Sequence, residues 1–360
     1  MTSLIERSKR GVFTLIAEIG VNYYDIAEKL HISPMEGAKY MVLAAKNAGV
    51  HGVKFQTYKA DSLASRYSPA YWDRREEPTA SQYELFRKFD HFGEAEYQEL
   101  SDFCRKIGIA FCSTPFDFPS VEYLAPLMDL YKISSSDITN LPFIEYIAKQ
   151  KKPILLSTGA SHEEEIRAAV ERIRRYNDED LALLHCVLEY PTPYEHANLA
   201  KIPALRAAFP ETIIGYSDHT KPDASYDVIK TAYLLGATVI EKHFTLDKTL
   251  QGNDHYHAMD SHDAGEILQE IRRIEYLKGR AEIQALPSEQ AARENARRSI
   301  VAAVDISKGT ILTEDMLMFK RPGTGISPRD LSMVIGKVAE IEIKKDSIVK
   351  MDMLKSTLRI

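Results

Sequence analysis

Two histidines stand where consecutive predicted strands end, an arrangement typical of a catalytic metal site. His219 closes the run TIIGYSDH and His243 lies in the next run, TVIEKHFT, each near a carboxylate, Asp218 or Glu241. A single histidine at a strand end is more often structural, but two at neighbouring strand ends face one site. Imidazole binds divalent metals well, and two such ligands leave positions open for water and substrate. The pair therefore predicts a catalytic Lewis-acid metal.

The segment GNDHYHAMD (252–260) follows this pair and contains two more histidines. His255 and His257 are additional candidate ligands, and Asp254 is a candidate base. A polar segment after a strand is also typical of a surface loop. For His255 and His257 we expect the solvated loop.

Two lysines, Lys54 and Lys132, lie inside otherwise apolar runs, where an unpaired ammonium group would be costly. Each therefore needs an anion. One interpretation is a salt bridge to Glu18 or Asp137, and the other is a phosphorylated or carboxylated substrate. We favour the substrate, because several strands contribute polar groups that could bind it. These groups are the hydroxyls of Thr114, Ser135, Ser157 and Ser217. A Schiff-base role for either lysine is a further alternative.

Eight short β-branched runs carry these residues, and each is followed by an amphipathic stretch. They are VFTLIAE (12–18), GVKFQTY (52–58), IAFCSTPF (109–116), LYKISSSD (130–137), KPILLST (152–158), LALLHCV (181–187), TIIGYSDH (212–219) and TVIEKHFT (238–245). Strands buried on both faces read as continuous apolar runs, and these become polar only at their ends. The pattern predicts an α/β fold, a (β/α)8 TIM barrel with its chemistry at one mouth. An open doubly wound sheet is the alternative.

The composition is that of an ordinary globular protein. Hydrophobic residues make up 44% and charged residues 27% of the 360 residues, and the net charge of −6 argues against a nucleic-acid surface. The three cysteines, Cys104, Cys112 and Cys186, lack a metal-binding spacing and fit a reduced compartment. The N-terminal stretch MTSLIERSKR has no apolar core, and no window approaches the roughly 18 apolar residues of a membrane span. We expect a cytoplasmic protein.

The chain is longer than one barrel and predicts two domains. We place the barrel at residues 1–282, a polar linker at 283–297 and a small β-rich module at 298–360. Within the module, KRPGTGISP (320–328) would present Arg321 on a rigid turn. An aromatic insert, residues 59–93, follows the second strand. It predicts a lid or partner-binding segment, or a surface excursion whose aromatics pack on the barrel.

Nine segments resemble one family in the right order across the chain. They are IAEIGVN (16–22), VKFQTY (53–58), STPFD (113–117), YKISSSDITNLP (131–142), KPILLSTGA (152–160), LLHCVLEYPTPYE (183–195), IGYSDHT (214–220), IEKHFT (240–245) and KRPGTG (320–325). The chain closely resembles the N-acetylneuraminate (sialic acid) synthases, whose barrel precedes an antifreeze-like (SAF) domain. The resemblance implies a transferase that condenses phosphoenolpyruvate with an N-acyl hexose, typically N-acetylmannosamine. The products would be a nine-carbon 2-keto acid and phosphate.

The resemblance also implies a role for each motif residue. His219 and His243 resemble the ligands of a manganese or magnesium ion. The residues that resemble the phosphoenolpyruvate site are Lys54, Thr114, Lys132, Ser135, Ser157 and Ser217. Those that resemble the sugar side are Glu18, Gln56, Tyr190 and Asp254, and Asp137 stands at its border with the phosphate site. Glu241 is placed for proton transfer. Family members are homodimers in which the small domain caps the partner's barrel, so Arg321 would hold the N-acyl group across the dimer.

Three departures from the family pattern concern the sugar side. The chain reads Asn-Tyr-Tyr-Asp at 22–25 where a His and a Gly are common, Asp137 where a Glu is common, and Leu188 where a polar residue is common. A legionaminic or pseudaminic acid synthase, acting on a 2,4-diacetamido-2,4,6-trideoxyhexose, is therefore an alternative. Less favoured alternatives are a 3-deoxy-ulosonate-phosphate synthase and a non-catalytic sugar-binding barrel.

Overall fold

The computed structural model describes residues 3–72, 74–75, 77–252 and 254–355. The chain forms two compact units, Met1–Lys278 and Gly279–Ile360. In the part of the chain that the structure describes, no helix combines the length and apolar character that a bilayer crossing requires.

The first unit is a nearly closed barrel of eight parallel strands, which confirms the predicted fold. The strands are β1 (Thr14–Gly20), β2 (Gly52–Thr57), β3 (Ala110–Pro115), β4 (Tyr131–Ile133), β5 (Ile154–Ser157), β6 (Leu181–Cys186), β7 (Ile213–Asp218) and β8 (Val239–His243). Hydrogen bonds link them in the order β3-β2-β1-β8-β7-β6-β5-β4, and β3 lies beside β4. All strands point the same way, so their carboxyl ends form a single mouth.

Helices connect the strands and cover the outside of the barrel. They are α1 (Leu4–Lys9), α2 (Tyr23–Leu30), α3 (Pro34–Asn47), α4 (Ala60–Leu63), α5 (Gln82–Lys88), α6 (Glu94–Ile107), α7 (Phe118–Leu124), α8 (Leu141–Ala148), α9 (Glu163–Tyr176), α10 (Lys201–Ala208), α11 (Asp227–Leu234) and α12 (Ser261–Lys278). The sequence explains α9 well: Ile166, Ala169 and Ile173 recur at helical spacing and are its buried residues. Three glutamates in its first turn and two arginines in its last complement the helix dipole.

The strands are buried almost throughout, including their polar ends. Every residue of β1, β5, β6 and β8 is buried. Side chains alternate between the barrel interior and the helix layer, so Glu241 and His243 face one side of β8 and Lys242 faces the other. The register sets Glu18 opposite Lys54 on β2 and opposite His243 on β8. Pairing therefore brings residues that are distant in sequence to one site.

The second unit contains two small antiparallel sheets. Strand β9 (Ser299–Ala302) pairs with β10 (Leu317–Lys320), and β11 (Val338–Ala339) pairs with β12 (Leu354–Lys355). Its core contains the buried residues Ile300, Ala302, Ile306, Leu312, Val334, Ala339, Ile343, Val349 and Leu354. A short helix, α13 (Gln290–Asn295), lies in the segment predicted as a linker.

Candidate active site

One cavity at the carboxyl ends of the strands brings together most of the predicted site residues. Those that line it are Glu18, Lys54, Gln56, Thr114, Lys132, Ser135, Ser157, Tyr190, Ser217, His219, Glu241 and His243. They come from strands throughout the barrel and from the loops that follow them. The cavity also has lining residues that the sequence did not single out for the site, namely Phe116, Ser134 and Cys186.

Lys54 is held by groups from the strands on both sides of it. Its Nζ lies 2.6 Å from Glu18 Oε2 and donates to Thr114 Oγ1 at 3.0 Å. Gln56 Nε2 donates to the other Glu18 oxygen at 3.0 Å. Burial opposes the ammonium charge, but Glu18 and Glu241 outweigh it and raise the pKa of Lys54. The salt bridge to Glu18 considered from the sequence is present, and Lys54 remains a cation.

Lys132 is less well neutralised than Lys54. Its closest carboxylate is that of Glu241, whose Oε1 lies 3.8 Å from both lysine Nζ atoms. Burial lowers the pKa of Lys132. Ser157 Oγ, also in the cavity, is buried without a hydrogen-bond partner among the described residues. Lys54 and Lys132 thus share the Glu241 carboxylate, and the Ser157 hydroxyl lies in the same cavity. This arrangement of positive charge and hydroxyl suits a small, multiply charged anion.

Glu241 is ionised despite its burial. Burial would raise the pKa of Glu241, but Lys132, Lys54 and a hydrogen bond from Ser217 together lower it. Ser217 Oγ donates to Glu241 Oε1 at 3.1 Å, whereas Oε2 has no hydrogen-bond partner in the described part of the chain. The free oxygen gives the cavity one buried carboxylate oxygen able to accept a proton.

His219 and His243 face each other as the sequence predicts, with ring centroids 5.5 Å apart. Nδ1 of His219 donates to the Val187 carbonyl at 2.6 Å, which fixes the tautomer and leaves Nε2 deprotonated. Burial lowers the pKa of both imidazoles, so they are neutral, the form that binds metals. His243 Nδ1 is buried without a hydrogen-bond partner among the described residues and lies 3.7 Å from Asp254 Oδ2.

The expectation of solvated histidines in the 252–260 segment is wrong. His255 and His257 are both fully buried. Both ring nitrogens of His255 have hydrogen-bond partners: Nδ1 lies 2.7 Å from Thr245 Oγ1 and Nε2 lies 3.0 Å from Asp25 Oδ2. Neither ring nitrogen of His257 has a hydrogen-bond partner among the described residues. Donor atoms of His257, His243 and Asp254 lie within 4.8 Å of one another, so the donor set fits a divalent cation.

A second pocket continues from the cavity along the sugar side inferred from the sequence. It shares Gln56, Tyr190 and His243 with the cavity and adds Asp254. Burial, followed by the charge of Glu18, raises the pKa of Asp254 to about 6. Part of the pocket wall consists of aromatic and aliphatic side chains, namely Tyr58, Tyr71, Leu85, Phe86 and Phe89. All but Tyr58 belong to the insert at 59–93, which therefore borders the candidate site.

Two predicted site residues are not in these pockets. Asp137 lies at the end of a 3-10 turn, Ser135–Asp137, and its side chain accepts a hydrogen bond from Asn140 at 3.2 Å. It does not line the cavity, although Ser135 in the same turn does. Arg321 is an exposed residue of the second unit. The contact with the N-acyl group that the resemblance implies for Arg321 stays a prediction.

Comparison with known families identifies both units. The NeuB family matches residues 41–283 and the SAF domain matches residues 297–355. The chain belongs to the NeuB family. This confirms the resemblance inferred from the nine sequence segments. As a NeuB family member with relatives that are named synthases, the protein is an enzyme of the sialic acid synthase type.

Individual relatives of this NeuB protein cover nearly the whole chain. An N,N'-diacetyllegionaminic acid synthase of Legionella pneumophila is 37% identical over 89% of this chain and 89% of its own length. A human N-acetylneuraminate-9-phosphate synthase is 30% identical over 93% of this chain and 90% of its own. The crystal structure of a Chromobacterium violaceum protein, described as a spore coat polysaccharide biosynthesis protein E, superposes with a TM-score of 0.79 at 26% identity and covers 95% and 99% of the two chains.

Proposed function

We propose that this enzyme condenses phosphoenolpyruvate with an N-acyl hexose, typically N-acetylmannosamine, and water, to give a nine-carbon sialic acid-type 2-keto acid and phosphate. The observation that carries the proposal is the shared cavity, in which two buried lysines lie beside a facing histidine pair. The part of the cavity around the lysines suits an anion, and the part around the histidines suits a carbonyl group polarised by a metal ion.

The lysine half would bind phosphoenolpyruvate. Lys54 and Lys132 offset the cost of bringing a multiply charged anion into a site that also holds Glu18 and Glu241. Hydroxyls around them would complete the binding of phosphate and carboxylate oxygens: Thr114, Ser135, Ser157 and Ser217. Ser157 supports this role most directly, since its oxygen has no protein partner in the described structure.

The histidine half would hold manganese or magnesium through His219 and His243. When bound, a divalent ion supplies Lewis-acid polarisation of the sugar aldehyde oxygen. The enol carbon of phosphoenolpyruvate then forms a bond with the aldehyde carbon, and water adds at C2. Glu241 Oε2 accepts one proton of that water and returns it to the former aldehyde oxygen, which becomes a hydroxyl group. The C2–O bond then breaks, C2 becomes a ketone, and the second proton leaves with inorganic phosphate. The lysine cations stay paired with the departing phosphate oxygens.

The sugar would lie between the histidines and the second pocket. Glu18, Gln56, Tyr190 and Asp254 border this space and would position the open-chain hexose. By the family resemblance, the enzyme is a cytoplasmic homodimer in which Arg321 of one subunit binds the N-acyl group held in the other.

A second candidate substrate is a 2,4-diacetamido-2,4,6-trideoxyhexose, which would make the enzyme a legionaminic or pseudaminic acid synthase. The aromatic and aliphatic side chains that line part of the second pocket favour it, because a 6-deoxy, doubly acylated sugar exposes more apolar surface than N-acetylmannosamine. Leu188, where a polar residue is common, lines the cavity itself. The legionaminic acid synthase relative is also more similar than the human sialic acid 9-phosphate synthase, at 37% against 30% identity.

The test is phosphate release from phosphoenolpyruvate with Mn2+ and each sugar in turn, with the product mass as readout. Release with N-acetylmannosamine and a product of the mass of N-acetylneuraminate supports the first substrate. Release with a diacetamido sugar alone supports the second. Faster turnover of a phosphorylated aldose, or sugar binding without phosphate release, would overturn the proposal.

A further inference from the structure

The loop from 252 to 260 contains a histidine that the proposed pair of metal ligands does not use. His257 is fully buried, yet neither of its ring nitrogens has a hydrogen-bond partner among the described residues. Leaving two such polar atoms dry and unpaired costs free energy, and buried imidazoles are normally hydrogen-bonded or metal-bound. Since the described part of the chain supplies no partner there, the side chain is placed for a ligand.

The position of His257 fits that ligand being the metal ion. An imidazole nitrogen binds a divalent metal at about 2.1 Å, so rings around one ion lie roughly 4.5 to 6.5 Å apart between centroids. The His257 ring lies 4.9 Å from that of His243 and 6.2 Å from that of His219. Asp254, three residues earlier, belongs to the same set of donors within 4.8 Å.

The neighbouring histidine shows why the loop can hold His257 in this position. His255 bonds Thr245 beyond the end of β8 with Nδ1 and Asp25 of α2 with Nε2. Asn22 Nδ2 also donates to the Asp254 carbonyl at 3.4 Å. Asp25 is part of the Asn-Tyr-Tyr-Asp departure, so that departure anchors the loop, and Asn22 and Asp25 also line the second pocket. His255 therefore fixes the loop, and a ring nitrogen of His257 lies within 4.8 Å of the donor atoms of His243 and Asp254.

We propose that His257 is a third imidazole ligand, which together with His219, His243 and Asp254 makes a nitrogen-rich metal site in this enzyme. The inference rests on the proposed metal dependence and deepens it. A third nitrogen donor shifts preference away from Mg2+, which favours oxygen ligands, and toward Mn2+ and Co2+. The enzyme should therefore bind Co2+ and Mn2+ much more tightly than Mg2+.

The test combines a direct ligand count with affinity measurements on the full-length enzyme. Pulsed EPR of the Mn2+ form should detect coupling to the nitrogens of three imidazoles, and to two in His257→Phe. Phe keeps the ring and its packing against Tyr190 and Tyr256 but removes both nitrogens. Calorimetry should show Mn2+ and Co2+ binding weakened about tenfold or more, since even outer partners of metal ligands contribute about tenfold. The loss for Mg2+ should be smaller.

His162→Ala is the matched control, because His162 is an exposed histidine at the start of α9 and should leave metal affinity unchanged. His257→Ala and the melting temperatures of the metal-free variants separate ligand loss from misfolding. Two imidazoles in the native enzyme, or unchanged Mn2+ affinity in His257→Phe, would overturn the assignment even if phosphate release is normal. Weakened metal binding in an enzyme that releases no phosphate would instead retain the ligand and reject the proposed reaction.

Discussion

Asp218 and Lys242 lie opposite each other on β7 and β8, with Oδ2 and Nζ 2.6 Å apart and both side chains 1% exposed. Lys242 also donates to the Thr220 carbonyl at 2.6 Å, and Asp218 Oδ1 accepts from Tyr216 and Thr220. Each member of the pair is adjacent in sequence to a proposed metal ligand, His219 or His243. The ion pair thus fixes, from the helix side of the barrel, the two strand ends that present those histidines.

Breaking this pair should destabilise the barrel strongly. Lys242→Met leaves the Asp218 carboxylate buried without its counter-ion, which costs about 3 to 5 kcal/mol of unfolding free energy. Urea denaturation measures the loss. The matched control is Lys9→Met, which removes an exposed ion pair with Asp180 and should cost less than about 1 kcal/mol. Equal effects of the two substitutions would show that the buried pair contributes no more than a surface one.

Lys132→Met should impair phosphoenolpyruvate use rather than sugar use. The substitution removes the less neutralised cation of the cavity, so we expect kcat/KM for phosphoenolpyruvate to fall about 100- to 1,000-fold. Steady-state phosphate release with each substrate varied in turn gives the two constants. Lys149→Met, which removes an exposed pair with Glu145, should leave both unchanged. A larger effect on the sugar KM would assign Lys132 to the other substrate.

Phe89→Ala should weaken sugar binding if the insert at 59–93 contributes to the site. Phe89 lines the second pocket, and losing part of its apolar contact should raise the sugar KM roughly five- to tenfold without changing that of phosphoenolpyruvate. Tyr67→Ala, in the same insert but 94% exposed, is the control. If both variants behave like the native enzyme, the insert only packs on the barrel.

Arg321→Ala tests the contribution of the second unit. Losing a charge-assisted hydrogen bond to the N-acyl group should raise the sugar KM about tenfold or more, with little change for phosphoenolpyruvate. Arg329→Ala, which removes an exposed arginine of the same unit, is the control. Subunit mixing adds a direct test: if Arg321 acts across a dimer, Arg321→Ala chains should recover activity when paired with chains inactivated by Lys132→Met. An unchanged sugar KM would instead make Arg321 a structural residue of its loop.

His51 should make the stability of the barrel depend on pH. Its Nδ1 accepts a hydrogen bond from the Leu15 amide at 2.9 Å, and burial, followed by the charge of Arg7, lowers its pKa to about 4. The unfolded chain binds a proton near pH 6.5, so this contribution to stability is complete above pH 6.5 and is lost as the pH falls toward 4. The loss is at most about 3 kcal/mol.

The variant His51→Asn keeps an acceptor for the Leu15 amide but does not titrate. Its free energy of unfolding should therefore decline less between pH 6.5 and 4 than that of the native protein, as measured by urea denaturation across this range. Parallel curves for the two proteins would show that another group causes the acid sensitivity.

The sequence predicted the barrel well because each strand is buried on both faces and reads as a continuous apolar run. The predicted run 181–187 corresponds to Leu181–Cys186, and 238–245 corresponds to Val239–His243. The β4 run was predicted too long: after Ile133 the chain turns into the 3-10 segment Ser135–Asp137. That turn keeps Ser135 in the cavity and Asp137 out of it. The apolar pattern does not reveal such a local change of direction.

The burial of the histidines in the 252–260 segment could not be predicted from the sequence for a different reason. Their burial depends on partners far along the chain, such as Asp25, which is 230 residues from His255. The one available signal was the pair of histidines two residues apart, which is unusual for a simple polar loop. The position of the aromatic insert could not be predicted from the sequence either. Its composition predicted packing on the barrel or a lid, but the fold is needed to show which of its aromatic residues border the second pocket.

The distribution of the site along the chain has a consequence for biosynthesis. Lys54 and Lys132 belong to strands made early, whereas His219, His243, Asp254 and His257 all lie between residues 219 and 257. The bond between Asp25 and His255 joins the two ends of the barrel sequence. In the order of synthesis, the two lysines proposed to bind the anion therefore precede every proposed metal ligand. A chain that ends before residue 219 would lack all four proposed metal ligands.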